Sequence, residues 1–134
     1  TEGAFHTYYM VAAAQRFRAV LDAAEFELPG VQVLSNFTGG FHEPDADSIR
    51  ARLFFQLFHP VLWHANLQAA FGESVGLIVE FGGGIGPGEA DAKRPNLEGM
   101  IKKSLRGAGL EADYLPVINQ QTVESAVAGL QAAG

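Results

Sequence analysis

The sequence predicts an α/β fold in which helices flank a mostly parallel sheet. Helix-like and strand-like segments follow each other in the order α-β-α-α-β-α-β-α, without an internal repeat or a linker. The run of residues 75–81 is almost entirely apolar, which is typical of a parallel strand covered on both faces. Apolar residues make up 48% of the 134 residues and charged residues 18%, so a core can form. The length predicts a single domain over residues 1–134.

The first half of the chain is predicted to contain three helices and one strand. The helices are expected over residues 7–24, from about residue 48 to residue 60, and over 62–71, and the strand over 31–37. Apolar residues recur at helical spacing from Met10 to Leu21. Asp45 or Asp47 can cap the second helix, and Pro60 is expected to break or kink it because proline lacks a backbone N–H and clashes with the preceding turn.

The second half is predicted to alternate strands with helices. Strands are expected over residues 75–81 and 114–118, and helices from about residue 95 to residue 105 and over 121–132. The glycines of Gly107-Ala108-Gly109 end the first of these helices. In the last helix, Val123, Val127 and Leu130 are expected to face the core.

Charge and composition exclude several classes of function. Nine Lys and Arg residues against fifteen Asp and Glu give a net charge of −6, which argues against a nucleic-acid-binding protein. The absence of cysteine excludes disulfides, thiol nucleophiles and cysteine-based zinc sites. The four histidines lack zinc-type spacing, so no metal site is predicted. No apolar run approaches the roughly 18–20 residues of a membrane span, so we expect no membrane association and a cytoplasmic location.

Three local patterns have both an ordinary and a functional interpretation. The segment 72–76 matches the G-x-S-x-G nucleophile elbow around Ser74, but the predicted helix precedes it and the strand follows, which is the reverse of that motif. An ordinary turn is therefore predicted there. The glycine-rich loop 82–88 is either a flexible insertion or a ligand-binding loop at the carboxyl end of a strand. The basic residues Lys93, Arg94, Lys102, Lys103 and Arg106 form either a solvated face or a contact for an acidic partner.

Five short segments carry patterns that occur together, in this order, in one known family. They are Gly3-Ala4-Phe5-His6-Thr7, Val33-Leu34-Ser35-Asn36-Phe37-Thr38-Gly39, Gln56-Leu57-Phe58-His59-Pro60-Val61-Leu62-Trp63, Val79-Glu80-Phe81-Gly82-Gly83-Gly84 and Asn96-Leu97-Glu98-Gly99-Met100-Ile101-Lys102-Lys103. The chain thereby resembles malonyl-CoA:acyl-carrier-protein transacylases and the acyltransferase domains of fatty-acid and polyketide synthases. The resemblance implies the C-terminal part of their large subdomain, a three-layer α/β-hydrolase-like structure.

The resemblance also implies a reaction and its catalytic residues. In this family a serine takes malonyl from coenzyme A and passes it to the phosphopantetheine thiol of acyl carrier protein. His6 matches the base that activates this serine, whose hydroxyl alone is a poor nucleophile. Gln56 matches the residue whose backbone carbonyl orients the histidine. The implied substrates are malonyl-CoA and the phosphopantetheinylated carrier protein, and no bound cofactor is implied.

Four other residues match substrate-binding positions of the family. Phe5 matches a position associated with malonyl rather than the bulkier methylmalonyl, and one methyl branch is worth only about 1–3 kcal/mol of discrimination. Asn36, Gly82 and Gly83 match further positions at the substrate. Gly83 replaces the usual proline, and an apparent insertion from Ile85 to Arg94 lengthens the loop that follows.

The nucleophile segment Gly-His-Ser-Leu-Gly, the Gln-x-Arg segment that binds the malonyl carboxylate, and the ferredoxin-like subdomain have no counterpart in the sequence. The chain begins at Thr1 without an initiator methionine, so we expect either that something precedes it or that it was processed. We therefore expect the chain to supply the histidine, to be inactive alone, and to need a Ser- and Arg-bearing N-terminal segment or chain. The alternative is a non-catalytic half-domain that binds carrier protein or another partner. An accidental resemblance is disfavoured by the ordered matches.

Overall fold

The computed structural model describes residues 3–89 and 92–133, without the side chains of residues 132 and 133. It combines helices with parallel strands, which confirms the predicted α/β class. The chain divides into two compact units, Thr1–Glu73 and Ser74–Gly134. Among the described residues, no helix is both long enough and apolar enough to cross a bilayer.

The first unit contains a short 3-10 turn, three helices and two short strands. These are the 3-10 turn Tyr8–Met10, α1 (Val11–Ala23), β1 (Leu34–Ser35), β2 (Gly40–Phe41), α2 (Ala46–Gln56) and α3 (Trp63–Phe71). Asp45 caps α2, because its side chain accepts a hydrogen bond from the Ser48 N–H at 2.7 Å. This selects Asp45 rather than Asp47 as the cap. The helix ends at Gln56, four residues before Pro60.

The strand predicted over residues 31–37 is much shorter and has an unexpected partner. Only Leu34–Ser35 is a strand, and it pairs antiparallel with β2. The chain reverses between the two, where the Gly39 N–H donates to the Ser35 carbonyl at 2.8 Å. Gly39 has φ +70°, and a Cβ there would lie 2.5 Å from the Ala65 Cβ. The turn of residues 36–39, which this left-handed glycine closes, takes up the last two residues of the predicted strand.

An arginine of α2 joins the first two helices by binding the C-terminal end of α1. Arg50 of α2 donates from Nε to the Leu21 carbonyl at 2.9 Å and from Nη2 to the Ala24 carbonyl at 3.3 Å. These carbonyls lie at the C-terminal end of α1, where the last carbonyls lack the regular donors of a continuing helix, and the Leu21 carbonyl has only a 3.3 Å bond from the Ala24 N–H besides Arg50. Arg50 also pairs with Asp47. The guanidinium therefore caps the C-terminal end of α1.

The second unit is built on two parallel strands. These are β3 (Leu77–Phe81) and β4 (Asp113–Val117), with α4 (Glu98–Ala108) between them in sequence and α5 (Gln120–Ala133) after them. The strands pair in register from Leu77 with Asp113 to Phe81 with Val117. Gly109 ends α4 at φ +67°, the left-handed C-terminal conformation that glycine favours. The predicted order of strands and helices is thus observed in this unit.

The predicted inward face of α5 is wrong. Val123, Val127 and Leu130 are 42–49% exposed, whereas Ala126 is buried. The small Ala126 side chain lies on the covered side of α5, and the larger apolar side chains lie at the edges of that side. Helical periodicity alone does not distinguish the centre of an apolar stripe from its edges.

Candidate active site

His6 lies in an unusual backbone conformation at the C-terminal end of α2. Its φ is +64°, in the left-handed region that residues other than glycine rarely adopt. The His6 N–H donates to the Leu57 carbonyl at 2.9 Å, which ties this conformation to the residue after α2. A left-handed conformation of this kind costs free energy and persists only where the surrounding structure holds it in place. Such residues cluster at functional sites.

The imidazole of His6 is oriented by the backbone of Gln56, fifty residues away in sequence. His6 Nδ1 lies 2.9 Å from the Gln56 carbonyl oxygen. This carbonyl is at the end of α2, where helix carbonyls have no intrahelical partner. An Nδ1–H that donates to it leaves Nε2 with a lone pair that can accept a proton. The structure therefore brings together the two residues that the family resemblance pairs.

The side chain of Gln56 is a component of the site that sequence reasoning missed. Its Nε2 lies 3.1 Å from His6 Nδ1 and 3.2 Å from the His59 carbonyl oxygen. Its Oε1 is buried without a hydrogen-bond partner in the described part of the chain. The signal for it in the sequence is weak: a polar residue at the end of a helix, shortly before Pro60.

An apolar cavity lies beside the imidazole. The cavity has a volume of about 400 Å³. The cavity is lined by Phe5, His6, Phe17, Leu53, Gln56 and Leu57. Phe5 is half exposed and forms one wall. The predicted substrate-binding Phe5 is thus next to the histidine, on a surface that offers almost no polar groups.

Asn36 is held by two contacts in the first unit. Its carbonyl accepts from the Leu62 N–H at 2.9 Å, and its Oδ1 accepts from Asn66 Nδ2 at 2.7 Å. The next residue, Phe37, stacks on Phe55 with ring centroids 5.3 Å apart, and Phe55 immediately precedes Gln56. Asn66 is buried on the inward face of α3. The sequence signal for this residue is an asparagine among the apolar residues of that helix.

Gly82 and Gly83 lie in the second unit, directly after β3. Both are exposed, and a Cβ added to either would meet nothing within 4 Å. The next glycine differs: Gly84 has φ +66°, and a Cβ there would lie 2.9 Å from the Arg94 carbonyl oxygen. The backbone of Ile85 bonds to that of Arg94 in both directions, which closes the predicted insertion at its base. Residues 90 and 91 of that insertion lie outside the described residues.

A buried carboxylate holds the far end of this loop. Glu80 accepts from the Asn96 N–H at 2.7 Å, from the Leu97 N–H at 3.0 Å and from the Tyr114 hydroxyl. Burial acts to raise the pKa of Glu80, but these three donors outweigh it and hold that pKa below its ordinary value. Burial and the adjacent Glu80 raise the pKa of the Tyr114 hydroxyl. Glu80 therefore fixes the start of α4 to the sheet as an ionised group.

Ser74 has the surroundings predicted for an ordinary turn. It follows α3 and precedes β3, so the strand-then-helix order of a nucleophile elbow is reversed. Its φ of +59° belongs to this reversal of the chain. Within the described residues, no group of three or more His, Asp or Glu side chains could hold a metal ion.

The chain is similar to known transacylases, although no family model matches it. The malonyl CoA-acyl carrier protein transacylase of Bacillus subtilis is 30% identical over 129 residues, which cover 96% of this chain and 36% of that protein. The enzyme of the same name from Mycolicibacterium smegmatis is 33% identical over 121 residues, covering 87% of this chain and 38% of that protein. The chain thus spans little more than a third of the length of these curated relatives.

A solved structure gives the same result. A malonyl transacylase in complex with its type II polyketide synthase acyl carrier protein is 26% identical, with a TM-score of 0.73. The match covers 93% of this chain and 36% of the other. The chain therefore resembles the malonyl-CoA–acyl carrier protein transacylases over nearly its whole length, as its motifs predict, and the share of the relatives that it spans is consistent with a C-terminal portion.

Proposed function

We propose that the chain supplies the general base of a malonyl transfer from coenzyme A to the phosphopantetheine thiol of acyl carrier protein. The observation that carries the proposal is the 2.9 Å contact between His6 Nδ1 and the Gln56 carbonyl oxygen. That contact leaves Nε2 to act as the base. The names of the relatives support the reaction, and the complex of a malonyl transacylase with its acyl carrier protein supports the partner.

His6 has the same task in both halves of the reaction. Its Nε2 accepts the serine proton as the serine oxygen attacks the malonyl thioester, and the imidazolium returns that proton to the departing coenzyme A sulfur. In the second half, Nε2 accepts the proton of the carrier thiol as the sulfur attacks the malonyl ester. The proton then returns to the serine oxygen. The imidazole is unchanged at the end, and no cofactor is consumed.

The serine, and the arginine that binds the malonyl carboxylate, come from a separate segment in this proposal. Ser74 lacks the elbow geometry, and the chain spans only 36% of the Bacillus subtilis relative. Large apolar side chains beside His6 are also exposed: Phe5 is 52% exposed, and Tyr8 and Tyr9 are each 69% exposed. Such a patch is typical of a surface that another segment covers. Phe5, Asn36, Gly82 and Gly83 are proposed to contact the substrate.

The test is reconstitution. The chain is co-expressed with the remaining part of the Bacillus subtilis transacylase, and malonyl transfer from malonyl-CoA to carrier protein is measured. We expect transfer by the pair and none by the chain alone. His6→Ala should lower the rate by roughly 10²–10⁴-fold, as loss of a general base does. His64→Ala is the matched control, since His64 is an exposed histidine of α3.

Two outcomes would contradict the proposal. Transfer by the pair that is unaffected by His6→Ala would show that His6 is not the base. Transfer by the isolated chain that is lost in Ser74→Ala would show that Ser74 is the nucleophile. Binding of carrier protein by a pair that never transfers malonyl would favour the non-catalytic alternative.

A further inference from the structure

Gln56 presents two different groups to the same atom of His6. His6 Nδ1 lies 2.9 Å from the backbone carbonyl oxygen of Gln56 and 3.1 Å from its side-chain Nε2. An imidazole nitrogen carries in its plane either a hydrogen or a lone pair. The hydrogen suits the carbonyl, and the lone pair suits the amide. Only one of these contacts is therefore a hydrogen bond at any moment.

Each contact corresponds to one tautomer of the neutral ring. When Nδ1–H donates to the carbonyl, Nε2 has the lone pair and can act as a base. When Gln56 Nε2–H donates to Nδ1, the ring proton is on Nε2, and that atom cannot accept a proton from a nucleophile. The side chain of Gln56 thus competes with its own backbone for His6.

The amide is kept in this competing position by a second contact. Gln56 Nε2 also lies 3.2 Å from the His59 carbonyl oxygen, and an amide nitrogen has two hydrogens to donate. The His59 ring is fixed in turn, with Nδ1 2.7 Å from the Phe55 carbonyl oxygen and its centroid 5.0 Å from that of Phe37. The bond to the His59 carbonyl directs one amide hydrogen there and leaves the other for His6.

We propose that the Gln56 side chain is a positioning group that sets the tautomer of His6. It holds a fraction of the resting molecules with the ring proton on Nε2, and it releases Nδ1 to the backbone carbonyl when the base is needed. The significance of this for catalysis rests on the proposed function. The tautomer itself is a property of this chain and is measurable without substrate, serine or carrier protein.

The test uses the whole chain and nuclear magnetic resonance of its imidazole nitrogens. Long-range proton–nitrogen spectra distinguish the two tautomers, and they are recorded at about pH 8.5, where free histidine is neutral. The His6 signals are identified by their absence in His6→Ala. Gln56→Met keeps the backbone carbonyl and the length of the side chain but removes both amide hydrogens. We expect the ratio of the Nδ1–H to the Nε2–H form to rise roughly two- to twelvefold, as the loss of one ordinary hydrogen bond predicts.

Two further variants make the result decisive. Gln56→Glu replaces the donor by an acceptor, so it should move the ratio in the same direction and further. Gln68→Met is the control, because Gln68 is exposed on α3, and the His6 ratio should stay unchanged. The dispersion of the amide signals checks folding, and Gln56→Glu decides if Gln56→Met does not fold. An unchanged ratio, or a shift toward the Nε2–H form, would overturn the proposal. Failure of malonyl transfer alone would count only against the proposed function.

Discussion

Replacing Glu80 by glutamine is expected to release the start of α4 from β3. Glu80 is only 7% exposed, and its carboxylate accepts from two backbone N–H groups and from the Tyr114 hydroxyl. Glutamine has the same shape but only one acceptor oxygen, and its NH₂ group would face a backbone N–H. A hydrogen bond to a charged group contributes about 1.5–3 kcal/mol, and a buried donor without a partner costs about 1–3 kcal/mol. We expect a loss of about 2–4 kcal/mol in the free energy of unfolding of this unit.

Amide hydrogen exchange measures this loss at the atoms concerned. The Asn96 and Leu97 amides should exchange roughly 30-fold to several hundred-fold faster in Glu80→Gln, which corresponds to the expected loss. Glu111→Gln is the control, since Glu111 is exposed and the charge change is the same. The fluorescence of Trp63 is not a suitable probe, because Trp63 lies in the first unit. Equal exchange at Asn96 and Leu97 in both variants would refute the anchoring role of Glu80.

The same carboxylate predicts the acid sensitivity of the second unit. The pKa of Glu80 is lower in the folded chain than its ordinary value of 4.5, so the folded state binds the proton less readily than the unfolded state. The stabilisation is therefore present above about pH 4.5 and is lost as the pH falls further. Urea denaturation followed by circular dichroism should show this acid dependence, and Glu80→Gln should reduce it.

Two further predictions concern pairs of similar residues with different surroundings. Gly84→Ala should destabilise the chain by roughly 1–3 kcal/mol, because Gly84 has φ +66° and an added Cβ would lie 2.9 Å from a carbonyl oxygen. Gly83→Ala should leave stability nearly unchanged, because an added Cβ there meets nothing within 4 Å, and so it tests substrate binding alone. Both effects are read from urea denaturation, and equal losses would contradict the difference. Arg50→Lys should lower the free energy of unfolding by about 1–2 kcal/mol, because a lysine cannot bond Leu21, Ala24 and Asp47 together. Arg18 forms an exposed 3.7 Å ion pair with Asp22, so Arg18→Lys should cost less than about 0.5 kcal/mol. Thermal unfolding compares the two, and an equal change would show that Arg50 does not cap α1.

The sequence predicted the elements whose signals are local. The apolar run before Gly82 is the parallel strand β3, and the cap of α2 is Asp45, one of the two candidates that the sequence offered. The pairing of His6 with Gln56 came from a family resemblance, since nothing in the local pattern relates residues fifty positions apart. The Gln56 side chain was missed for the same reason, because its role depends on the positions of both His6 and His59.

Other features depend on backbone conformation or on which part of a helix face is covered. The left-handed conformation of His6 has no sequence signal, because histidine does not favour it as glycine does. Gly82, Gly83 and Gly84 are three consecutive glycines that the sequence does not distinguish. Of these three, only Gly84 has a positive φ and too little space for a Cβ, so only this position requires glycine. The exposed Val123 and Val127 of α5 show that an apolar stripe in the sequence does not identify which of its residues the structure covers.

The role of His6 as the base is tested most directly by the rate of the first chemical step. The chain is reconstituted with a serine-bearing segment and mixed with malonyl-CoA, and malonylation of the serine is followed by rapid quenching and mass spectrometry. Malonylation should be fast with His6 and roughly 10²–10⁴-fold slower with His6→Ala, while both pairs assemble equally. Equal rates of malonylation with and without the imidazole would contradict the account.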